Sequence, residues 1–69
     1  MALMTVFYDV EGNAESKRFD DAPPAINFAV RLVQTYNGDL AKVVVRDGEG
    51  AIVFSEDEIR TLSRQVRLG

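Results

Sequence analysis

At 69 residues, with neither cysteine nor histidine, this chain must fold on its apolar core, without disulfides, thiolate metal sites or imidazole ligands. The same absence excludes Ser–His and cysteine nucleophiles. Eleven acids against eight bases give a net charge of −3, which opposes charge-driven attraction to nucleic acid or anionic lipid and suits a partner with a basic surface.

A hydrophobic content of 46% supports a folded core rather than disorder, and no linker divides the chain, so 1–69 reads as one domain. The apolar runs are far too short for a membrane span. Met1-Ala2-Leu3-Met4 carries no basic stretch followed by a long apolar one, so no leader is expected and the location reads as cytoplasmic.

The β-branched and aromatic run Met4–Val10 predicts a strand. Glu11-Gly12-Asn13 supplies the turn, because Gly and Asn tolerate positive φ. Residues 14–19 return as a polar second strand whose Glu15, Lys17 and Arg18 suit a protected edge. Asp20-Asp21-Ala22-Pro23-Pro24 predicts a helix entrance: an aspartate caps the orphan amides and proline is tolerated in the first turn. The helix runs to Tyr36, where Asn37-Gly38 predicts a left-handed stop. Residues 40–46 form a third strand, with Ala41, Val43 and Val45 sharing one face. Asp47-Gly48-Glu49-Gly50 is a tight turn, and residues 51–54 make the fourth strand. Ser55-Glu56-Asp57-Glu58 is a capping box with its acids in the positive first turn. Ile59, Leu62 and Val66 follow at helical spacing as the buried stripe. The fold class is therefore α+β, order ββαββα: a four-stranded antiparallel sheet with two helices packed on one face.

Catalytic chemistry finds no foothold. Ser16 and Lys17 are neighbours on a strand and point to opposite faces. The glycines at 48 and 50 lack both the spacing of a calcium loop and the G-K-[ST] of a phosphate loop. No enzyme activity, cofactor or metal is expected. Three surfaces remain. The apolar arc of the first helix, about 200°, is wider than a helix on a sheet needs; either the second helix covers the excess, or the rim residues Phe28 and Val30 meet a partner or a second copy. The sheet's open face should carry Phe7, Val44 and Val53 as an apolar island rimmed by charge, suited to a protein contact or a homodimer. Arg60, Arg64 and Arg67 stand at i, i+4 and i+7 on the second helix, either as a solvated face or as a grip for phosphate or an acidic partner.

Small, acidic, cysteine-free and built from interface-like surfaces, the chain resembles small phage-encoded inhibitors of the anti-CRISPR type. The resemblance implies a protein that binds a subunit of a nucleic-acid-guided effector complex, without binding nucleic acid itself, and blocks it with carboxylates placed where phosphates would sit. Asp9, Glu11, Asp20, Asp21, Asp47, Glu49, Glu56, Asp57 and Glu58 would then carry the contact. The competing expectation is a homo-oligomeric structural or regulatory accessory protein, antitoxin-like in kind.

Overall fold

The computed structural model describes residues 3–65, arranged as β1 (Met4–Val10), β2 (Asn13–Phe19), α1 (Ala22–Tyr36), a 3-10 turn (Asn37–Asp39), β3 (Leu40–Asp47), β4 (Ile52–Phe54) and α2 (Glu56–Gln65). The four strands form one antiparallel sheet in the order β2-β1-β3-β4, so the fold is α+β with the ββαββα order that the sequence predicts. The hairpin partners β2 and β4 occupy the edges. The centre is the long-range pair β1–β3, and the α1 connection passes over β1 to reach it.

One face of the sheet is buried. Met4 and Val6 of β1 and Val43 and Val45 of β3 pack with Ala25, Ala29, Leu32 and Val33 of α1 and with Ile59 of α2 in a single cluster. Both helices therefore cover the same face. Ala25 and Ala29 are fully buried, and their small side chains let α1 lie close on the sheet. Two polar hooks fix the helix starts. Asp21 Oδ1 accepts from the Ala22 amide at 2.8 Å. The next two residues are prolines with no amide to satisfy, so this one bond completes the cap. At α2 the Ser55 amide donates to Glu58 Oε1 at 3.1 Å and the Glu58 amide donates to Ser55 Oγ at 3.4 Å, the predicted capping box.

Several local expectations are corrected. In the first turn it is Glu11, at φ 52°, that joins Gly12, at φ 84°, while Asn13 opens β2 opposite Val10. This two-residue turn matches the right-handed twist of a hairpin, but Glu11 has a Cβ to accommodate there. Its amide donates to the Asp39 carbonyl at 3.1 Å, tying the hairpin tip to the entrance of β3. Gly38 takes no positive φ; α1 tightens into the 3-10 turn instead of stopping left-handed. The second hairpin keeps its tight turn, with Gly50 as the left-handed residue at φ 87°. Asp47 organises that loop, its Oδ1 accepting from the amides of Glu49 and Ala51 at 2.9 Å each. A register shift between Asp9 and Val10 sets Val10 opposite Leu40. The shift turns Leu40 into the core and leaves Ala41 exposed, against the expected alternation.

The wide apolar face of α1 is covered from within the molecule. Val30 is only 2% exposed, and Gln34, four residues on, donates from Nε2 to the Ser63 carbonyl of α2 at 3.1 Å. That stripe of α1 therefore faces α2. Phe28 is half-buried, edge-on to Tyr8 at 5.7 Å and tilted against Phe19 at 5.3 Å. The Lys17 ammonium lies 5.1 Å from the Phe28 ring centre, closing this corner over the edge strand. Neither Phe28 nor Val30 is the open rim that the arc suggested. Leu62 is half-buried rather than buried, and Val66 lies outside the described residues.

Candidate functional site

Among the described residues no group of three or more histidine, cysteine, aspartate or glutamate side chains is placed to hold a metal ion. No helix among them is long and apolar enough to cross a membrane. Two surfaces of opposite charge stand out instead.

The first is one end of the sheet. Met4 pairs with Phe19 on one side and with Asp47 on the other. Asp20 and Asp21, which follow Phe19, and Asp47 and Glu49, which close β3, therefore gather at the same end. Two strand spacings, about 10 Å, separate the two groups at their bases. Asp21 and Asp47 are engaged by backbone amides as described. Asp20 and Glu49 are exposed. The remaining acids lie apart. Glu11 and Asp39 sit at the opposite end of the sheet. Glu56 pairs with Arg60 and Glu58 serves the α2 cap; Asp57 and Glu58 are both exposed. Asp9 belongs to neither group. It is half-buried on the open face opposite Lys42, and its Oδ1 is buried with no hydrogen-bond partner among the described residues.

The second surface is that open face. Its register rows are Arg18–Thr5–Arg46, Ser16–Phe7–Val44 and Ala14–Asp9–Lys42. Phe7 is 43% exposed and lies directly opposite the half-buried Val44. Together they form the apolar pair that the sequence placed outward. Beside them, Phe7, Asp9, Ala14, Lys42 and Val44 help to line a shallow depression of ≈ 250 Å³. Val53 does not complete the island: it is half-buried and packs against the core. A register shift between Val45 and Arg46 puts Ile52 opposite Arg46 instead, 54% exposed. Sequence reading missed Ile52, because simple alternation from the inward Phe54 would turn residue 52 inward as well.

The arginine stripe is split. Arg60 Nε donates to Glu56 Oε2 at 2.9 Å, and its Nη2 donates to the Leu40 carbonyl at 3.0 Å. It thereby binds α2 to the start of β3. Arg64 is exposed, and Arg67 lies outside the described residues.

Neither a family model nor a curated protein nor a solved structure matches this chain.

Proposed function

We propose that this protein is a cytoplasmic, non-enzymatic protein-binding module that inhibits a larger nucleic-acid-handling complex, in the manner of the anti-CRISPR-type inhibitors it resembles. One observation carries the proposal: the fold collects Asp20, Asp21, Asp47 and Glu49, remote in sequence, at one end of the sheet. A basic protein groove that normally holds a phosphate backbone is the complementary surface. The net charge of −3 favours such a partner over nucleic acid itself.

Only two of the four acids are suitable for a clean test, because Asp21 and Asp47 also cap backbone amides. The double variant Asp20→Lys, Glu49→Lys leaves both caps intact. Co-expression with guided-nuclease effector subunits and pull-down should capture the wild-type protein. The double variant should bind roughly tenfold more weakly, chiefly through a slower on-rate at low salt. If it binds normally while Arg64→Glu abolishes capture, the acidic end is not the contact.

A further inference from the structure

The open face of the sheet has a charge opposite to that of the chain as a whole. Three cations, Arg18, Lys42 and Arg46, stand on its register rows against one carboxylate, Asp9. At its centre the side chains of Phe7 and Val44 are adjacent across β1 and β3, and Ile52 adds exposed apolar surface at the β4 edge. Arg46 is partly engaged, its Nη1 donating to the Gly50 carbonyl at 2.6 Å, whereas Arg18 and Lys42 flank the apolar pair diagonally on the two sides. An apolar centre inside a charged rim is the anatomy of a protein interface.

We infer that this face is a second docking surface, distinct from the acidic end, and that its occupant is a protein segment or surface with an apolar anchor among carboxylates. Charge complementarity selects that occupant. A second copy meeting this face about a two-fold axis would bring three cations against the same three cations. A nucleic acid strand would find a single exposed aromatic on this face to stack on, with Asp9 beside the depression opposing its phosphates. An acidic, apolar-centred protein surface pairs with the cations and covers Phe7 at the same time. The protein then has two contacts of opposite sign, one at the end of the sheet and one on its face.

The test uses 15N-labelled full-length protein and a synthetic peptide of alternating glutamate and leucine. Saturable amide shifts are expected at Thr5, Phe7, Lys42 and Val44, and not around Asp20 or Glu49. Phe7→Ser and Lys42→Glu, each with an otherwise unchanged spectrum, should weaken peptide binding by about tenfold, as loss of an anchor or of a charge partner does. The Asp20→Lys, Glu49→Lys variant should bind the peptide as well as wild type, which keeps this result separate from the test of the acidic end. The inference is overturned by the absence of saturable shifts, or by equal shifts with a lysine–leucine peptide. It is equally overturned if an oligothymidylate produces the stronger response on the same residues, or if those residues shift with protein concentration alone.

Discussion

The two helices are attached to the sheet by different means. α1 buries five side chains, two of them alanines pressed against the strands, and its apolar face is wide enough to meet both the sheet and its neighbour. α2, in its described residues, buries only Ile59. It is held instead by polar ties: Arg60 to the Leu40 carbonyl, the Ser63 carbonyl to Gln34, and the capping box at its start. Burial is non-directional and tolerates small shifts, whereas these hydrogen bonds fix α2 at specific points along β3 and α1. A helix with so little apolar contact depends on each of its ties.

That contrast can be broken most severely at the one fully buried side chain among the described residues of α2. Ile59→Ala should cost about 3 kcal/mol in urea unfolding, because it empties a fully buried site shared by both helices and the sheet. A loss under 1 kcal/mol would mean that Ile59 is not what anchors α2 to the sheet. Next in size is Arg60→Ala, expected to cost about 1–2 kcal/mol by leaving the Leu40 carbonyl without its donor and Glu56 without its partner. Hydrogen exchange should then speed up in α2 while protection in α1 stays unchanged; equal acceleration in both would show that they open as one unit. Smallest is Ser55→Ala, about 1 kcal/mol, through loss of the hydroxyl that caps the Glu58 amide. An unchanged melting temperature would show that Glu58 and the backbone fix the start of α2 without it.

What the sequence disclosed, and what it withheld, divides along the range of the interactions. Met4–Val10, the Asp47 turn and the Ser55–Glu58 box were legible because their chemistry is complete within a few residues. Leu40 and Ala41 exchanged faces because of a shift in register against β1, a strand some thirty residues away, which no local pattern records. Ile52 turned outward for the same kind of reason on the other side of β3. Val30 looked like surplus apolar surface until α2 was in place beside it. The site followed the same rule. That Phe7 and Val44 face outward followed from alternation, but their being direct neighbours needed the pairing of β1 with β3. Of its eleven acids the sequence offered nine as contact candidates without order; the two-sided pairing of Met4 sorts four of them to one end. Arg60 sits at a spacing that suits a surface stripe, and only the tertiary fold reveals the backbone carbonyl it reaches.

The central pair of strands also governs how the molecule forms. Each hairpin closes a short loop and α1 needs only neighbours along the chain, so these pieces can appear early and independently. Pairing of Val6 with Val45 joins segments roughly 40 residues apart, and its loop-closure entropy must be met before the shared core offers any return. The rate-limiting event is therefore expected to be the meeting of the two halves across β1 and β3, with α1 shortening the effective loop between them. Until that meeting the inner edges of both hairpins are unpaired, so slow docking rather than slow local structure is the stage at which this small chain is open to misassembly.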